Sequence, residues 1–130
     1  MNCCFFILLL MLSTSDRNVF GAEADATTGT LAKEGAALFQ ELGCNGCHMG
    51  PSALRGPRLE GLYGTTVPLQ DGSTVIADER HIRESILLPN ARIVAGYEPE
   101  MPPFAGEVTE DDLIRLIAYI KSLADDPRSQ

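Results

Sequence analysis

The chain has no tryptophan, only two histidines, and only ten Lys and Arg against eighteen Asp and Glu in 130 residues. A formal charge of −8 excludes the basic footprint that nucleic-acid binders and polybasic membrane-surface proteins need. Long apolar runs are missing as well. The N-terminal run Cys3 to Leu12 holds ten residues, half of the about 20 that a membrane-spanning helix requires. At 45% apolar the chain can still bury a core, which argues against wholesale disorder.

The short apolar run has the form of a secretory signal core, followed by small residues at Gly21, Ala22 and Ala24. Ala22-Glu23-Ala24 matches the A-x-A pattern of a cleavage site. The expectation is a signal peptide over residues 1–24 and a periplasmic or otherwise exported protein. One element is missing, since no Lys or Arg precedes the run; a misplaced start or an uncleaved partial anchor are the alternatives. Cleavage removes Cys3 and Cys4 and leaves Cys44 and Cys47 in a chain of about 106 residues, a size whose core alone gives marginal stability.

Beyond that point, residues 25–30 are small and polar and read as a flexible leader. Leu31 to Leu42 carry helical periodicity, with Leu31, Leu38 and Leu42 on one side, Phe39 beside them and Gly43 as a stop. Residues 43–65 hold eight glycines and prolines and read as irregular loop. Val67 to Ile76 read as a hairpin turning at Asp71-Gly72. Asp78 caps a second helix that Pro89 stops. Four prolines then mark residues 89–108 as irregular. The last helix carries a capping-box variant at Thr109 and Asp112, a staple between Val108 and Leu113, and an apolar stripe of Leu113, Leu116, Ile117, Ile120 and Leu123. Residues 125–130 form a tail. Three modest helices and long Pro/Gly loops must therefore share one small core. Loops of that length are uncommon in compact domains unless they bind something, which points to a large apolar group as part of the core.

Cys44-Asn45-Gly46-Cys47-His48 is a C-x-x-C-H sequence, the spacing of covalent c-type haem attachment. Two thiols three residues apart reach two vinyl groups on one porphyrin edge, and the adjacent His ligates iron from below. A structural zinc site would need four ligands, with only His81 left to complete the set. A thioredoxin-like redox pair belongs in a βαβ pattern that is absent here. A plain disulfide leaves His48 unexplained. A six-coordinate haem needs a second axial ligand, typically Met or His. Met49 adjoins His48 and cannot reach the opposite face. His81 lies on the amphipathic second helix, and Met101 lies between prolines in the loop Gly96 to Phe104. A stiff loop holds a soft thioether at fixed distance, so Met101 is favoured over His81.

The C-x-x-C-H motif, the segment Gly56-Pro57-Arg58-Leu59 and the Met-Pro loop together resemble class I cytochrome c. The hairpin at Val67 to Gly72, the helix Asp78 to Ile86 and the loop from Gly96-Tyr97 to Pro102 are similar to the cytochrome c domain fused to subunit II of some bacterial haem–copper oxidases. The resemblance covers about residues 31–123, and the domain is taken as residues 31–124. It implies an all-α class I cytochrome c fold, three or more short helices around a covalent haem, with a small β-hairpin insertion. It also implies one haem c bound through thioethers at Cys44 and Cys47, with His48 and Met101 as axial ligands. The carbonyl of Pro57 would accept the Nδ1 proton of His48. Gly35 and Phe39 would meet Leu116 and Tyr119 where the first and last helices cross. Tyr63, Tyr97 and Arg58 stand as neighbours of the haem ring or its propionates. No copper domain or two-helix anchor precedes the haem domain, so a free-standing, exported electron carrier is expected rather than an enzyme. Its expected partners are an upstream donor and a terminal oxidase, with no nucleic acid. Membrane contact would come only through a partner or an uncleaved N-terminal segment. An accessory subunit of an oxidase or dehydrogenase is the alternative; a haem peroxidase or a zinc-stapled binding module is less favoured.

Overall fold

The computed structural model describes residues 19–49 and 55–125. It contains four α-helices, α1 (Val19–Glu41), α2 (Asn45–His48), α3 (Glu79–Leu87) and α4 (Glu110–Ser122), with short 3-10 turns at Pro89–Ala91 and Leu123–Asp125. A two-stranded antiparallel hairpin of β1 (Thr66–Pro68) and β2 (Thr74–Ile76) lies between α2 and α3, pairing Val67 with Val75. The expected class holds, with helices throughout and one small hairpin.

Two local readings are corrected. The stretch read as a flexible leader, residues 25–30, is helical and continuous with the packed part of α1. Once Leu31 to Glu41 is fixed by packing, each further turn costs little. The Thr30 hydroxyl adds a local bond, donating back to the Ala26 carbonyl at 3.0 Å. The expected cut after Ala24 falls inside this helix, whereas residues 1–18 of the expected signal peptide lie outside the described residues, as does most of the tail. Second, the C-x-x-C-H segment is not irregular throughout, because Asn45–His48 form a helical turn with the amides of Cys47 and His48 bonded to the Cys44 carbonyl.

The core forms where α1, α3 and α4 meet. Phe39, Ile82, Ile86, Leu113, Leu116, Ile117 and Ile120 are buried together with Leu59, Phe104 and Leu123 from the loops. The apolar stripe expected on α4 is buried along its whole length. Its start is fixed as the sequence suggests: Asp112 N–H donates to Thr109 Oγ1 at 3.2 Å, and Thr109 N–H donates to Asp112 Oδ2 at 2.9 Å.

Helices α1 and α4 approach closely at Gly35. A Cβ there would lie 2.6 Å from the Arg115 carbonyl carbon and 2.9 Å from Tyr119 Cβ. Beside this contact Phe39 and Tyr119 meet edge-to-face, ring centroids 5.2 Å apart, an arrangement that adds to simple burial. Among the described residues, no helix is long and apolar enough to cross a membrane.

Candidate functional site

The end of α1 places the cysteines. Gly43 takes a left-handed conformation, φ 75°, which only glycine adopts without strain. The Gly43 amide then bonds the Gln40 carbonyl at 3.0 Å and the Cys44 amide bonds Phe39 at 3.0 Å, a Schellman closure that turns the chain back on itself. Cys44 thus emerges beside Phe39 at the core's edge, and the turn of α2 carries Cys47 and His48 onto the same wall.

That wall bounds a largely apolar cavity of about 250 Å³. Cys44, Cys47, His48, Pro57 and Met101 all line it, so the two expected anchors, the two expected iron ligands and the expected partner of His48 meet around one space. Phe39, Ile82, Ile86, Leu116 and Ile120 line it as well; the protein core and the cavity share their walls. Both cysteines are free thiols, and burial pushes the Cys44 thiol up, keeping it protonated at neutral pH.

His48 is held by its outer nitrogen. Nδ1 lies 2.8 Å from the Pro57 carbonyl, an oxygen that can only accept, so Nδ1 carries the proton and Nε2 presents its lone pair. This is the bond that orients a ligating imidazole and raises its basicity. Gly56, which carries the resemblance only as part of the segment Gly56 to Leu59 and has no role of its own there, makes the seating possible. A Cβ on Gly56 would stand 2.8 Å from His48 Cε1 and 3.0 Å from Nδ1; its only sequence signal is its place just before Pro57.

Met101, also on the cavity lining, sits half-buried in a loop tied at both ends. The chain before it bridges to the hairpin through Leu69 and Val94, and Gln70 Nε2 donates to the Tyr97 carbonyl at 2.7 Å. Behind it the Phe104 amide bonds the Ile86 carbonyl at 3.1 Å. At the rim, Arg55 Nε meets Glu100 Oε2 at 2.8 Å, linking the loop after the cysteines to the methionine loop.

The competing residues also find places. Met49 is outside the cavity lining; the Tyr119 hydroxyl approaches its sulfur at 3.7 Å. His81 lines the cavity and is buried. Its Nδ1 is enclosed without a partner among the described residues, the opposite of the arrangement that a ligating His needs. Among the described residues no three His, Cys, Asp or Glu side chains group so as to hold a metal ion, so Cys44, Cys47 and His48 do not gather with His81 as a zinc site would demand. Of the three expected ring neighbours only Tyr97 reaches the cavity. Arg58 turns to Glu60 at 3.2 Å, and Tyr63 carries Lys121 Nζ over its ring at 5.1 Å.

The family model for Cytochrome c matches residues 32–124. The chain belongs to the cytochrome c family. No curated protein matches it in a sequence comparison. Membership brings one covalently attached haem c, and this cytochrome's residues fit the group: two thiols, an oriented imidazole and a thioether all line one largely apolar cavity. The His48 seat is the sharpest evidence of fit, because an imidazole with a fixed tautomer and a free Nε2 is a ligand already prepared for iron. Cytochrome c domains serve typically as electron carriers rather than catalysts.

Proposed function

We propose that this cytochrome is an exported mono-haem carrier that passes single electrons from an upstream donor to a terminal oxidase. The observation behind it is the convergence of Cys44, Cys47, His48 and Met101 on one apolar cavity. Haem bound there supplies a one-electron Fe(III)/Fe(II) couple. Cys44 and Cys47 would hold it through their sulfurs, His48, held by Pro57, would offer Nε2 to the iron, and Met101 would offer its thioether. The apolar walls exclude water, and the His/Met pair raises the potential. With His48 and Met101 both given to the iron, no coordination site would be left open to a substrate, which would favour electron transfer over peroxidase chemistry.

The test is the visible spectrum, oxidised and reduced, of protein made with a c-type maturation system, beside a Met101→Ala variant. A six-coordinate low-spin c-type spectrum that becomes high-spin or ligand-accepting only in the variant is expected. A spectrum unchanged by the substitution would move the sixth ligand away from Met101. Rapid reoxidation of the reduced protein by a terminal oxidase tests the partner, and failure to be reoxidised would redirect the role to another acceptor. Recovery of the protein in the periplasmic fraction tests export; retention in the cytoplasm would refute it.

A further inference from the structure

His81 is left over by the haem ligation, and its surroundings are not those of an ordinary core residue. It is only 6% exposed, sits on α3 and faces the cavity shared by His48 and Met101. Its main-chain amide belongs to the helix cap, bonded to Asp78 Oδ1 at 2.8 Å. Its ring is another matter. Nδ1 is sealed from solvent with no partner among the described residues, an arrangement that folded proteins rarely tolerate without a reason.

The charged groups around the ring are Glu84, Arg92 and Asp78, and burial outweighs them in holding His81 below its ordinary pKa, with Arg92 adding in the same direction. The ring is therefore neutral at pH 7, with one N–H to donate. An enclosed lone pair is tolerated more often than an enclosed N–H, so the proton belongs on Nε2. Arg92, which pairs with Glu84 at 3.0 Å, lines the same cavity. One stretch of the cavity wall thus offers a neutral donor next to a cation. That pairing suits a carboxylate: the cation balances its charge and the donor fills a lone pair. The charged groups at the periphery of a haem are its two propionate carboxylates.

We propose that the His81 imidazole donates a hydrogen bond to one haem propionate, with Arg92 supplying the neighbouring positive charge. His81 is then a positioning residue. It holds the macrocycle's polar edge and, by stabilising negative charge there, favours the ferrous state. The inference rests on covalent haem being present, which the c-type spectrum reads independently.

The direct test uses the reduced, diamagnetic holoprotein. Two-dimensional NMR should show a cross-peak between His81 ring protons and a propionate methylene. Two variants add a functional reading. His81→Phe removes the donor and should shift the propionate bending band in resonance Raman and lower the reduction potential, with the Met101 ligation signature retained. His81→Gln keeps a donor and should return both towards wild type. A wild-type protein with normal haem but no His81–propionate cross-peak would overturn the proposal, as would a Raman band unmoved in His81→Phe. The wild-type measurement stands even if the Phe variant fails to fold. A chain that takes up no haem would overturn the haem reading, and this proposal with it.

Discussion

Gly35→Ala and Gly29→Ala place the same methyl group on the same helix, and the structure gives them opposite signs. At Gly35 the new Cβ falls 2.6 Å from the Arg115 carbonyl carbon and closer still to its oxygen, where ordinary contact begins at 3.4 Å. To reach contact distance from that carbon alone, α1 and α4 must part by about 0.8 Å. The obstacle is backbone, so no side-chain rotation relieves it. Overpacking of this kind costs about 1–3 kcal/mol, against about 0.5–1 kcal/mol recovered by replacing a helical glycine. Separation also loosens the Phe39–Tyr119 pair and the wall of the haem cavity. The expected net loss is about 1–2 kcal/mol, which for a domain of this size lowers Tm by at least about 4 °C. At Gly29 nothing lies within 4 Å of the added Cβ, so only the helix gain remains, about 0.5–1 kcal/mol of stabilisation. Denaturant unfolding of the two holoproteins, followed by far-UV circular dichroism, reads both. If Gly35→Ala is as stable as Gly29→Ala, the close helix crossing is not what the structure describes.

Gly56→Ala should push the His48 ring off the Pro57 carbonyl, weaken the bond that makes it basic and so raise the reduction potential; an unchanged potential would mean the ring is not confined by this glycine. Leu116→Ala, at a side chain 2% exposed in both core and cavity wall, should cost about 2–5 kcal/mol in denaturant unfolding, and a smaller loss would mean that the wall collapses to fill the space. The Thr109 hydroxyl and amide hold the Asp112 carboxyl below its ordinary value of 3.8. Its contribution is therefore present above that value and lost as pH falls through the lowered folded value, so the stability gap between wild type and Asp112→Asn should be full at pH 7 and close in acid. A gap independent of pH would contradict the capping box. Of the four acidic residues between Met101 and Leu113, Glu110 and Asp112 are paired with Arg83 and Arg115, so partner reduction should slow only shallowly with added salt, and a steep dependence would show that the other two, Glu107 and Asp111, steer docking.

Legibility in the sequence followed the range of the interaction. The caps at Asp78 and Thr109, the hairpin turn at Asp71-Gly72 and the stripe of α4 are set by neighbours within about five residues, and all stand where periodicity and turn chemistry put them. The residues lining the site were legible for a different reason: C-x-x-C-H and a methionine between prolines have few structural uses apart from haem. What local patterning missed was non-local or cooperative. Residues 25–30 look like a leader by composition but extend a helix whose packing lies further along. Gly56 looks like one loop glycine among many until the His48 ring is set against it. Arg58 and Arg92 are equally plausible anion partners by type, and only the fold shows that one turns away to Glu60 while the other lines the cavity.

The hairpin looks like an insertion in the sequence, yet it acts on the site. Its outer strand continues past Pro68 to pair with the chain leading to Met101: the Ala95 amide bonds the Pro68 carbonyl and the Gln70 amide bonds Ile93, each at 2.9 Å. The Gln70 side chain then takes the Tyr97 carbonyl, four residues before the methionine. Proline alone stiffens a loop by fixing φ, but it cannot set where the loop sits. If Met101 holds the iron in both oxidation states, as proposed, its thioether needs both properties, since every displacement that accompanies electron transfer slows it. The hairpin supplies position and the prolines supply stiffness. On this reasoning the most damaging changes to the Met101 loop outside the loop itself lie at the turn that closes the hairpin, where Gly72 holds φ 85° and Asp71 Oδ1 accepts from the Ser73 amide at 2.9 Å.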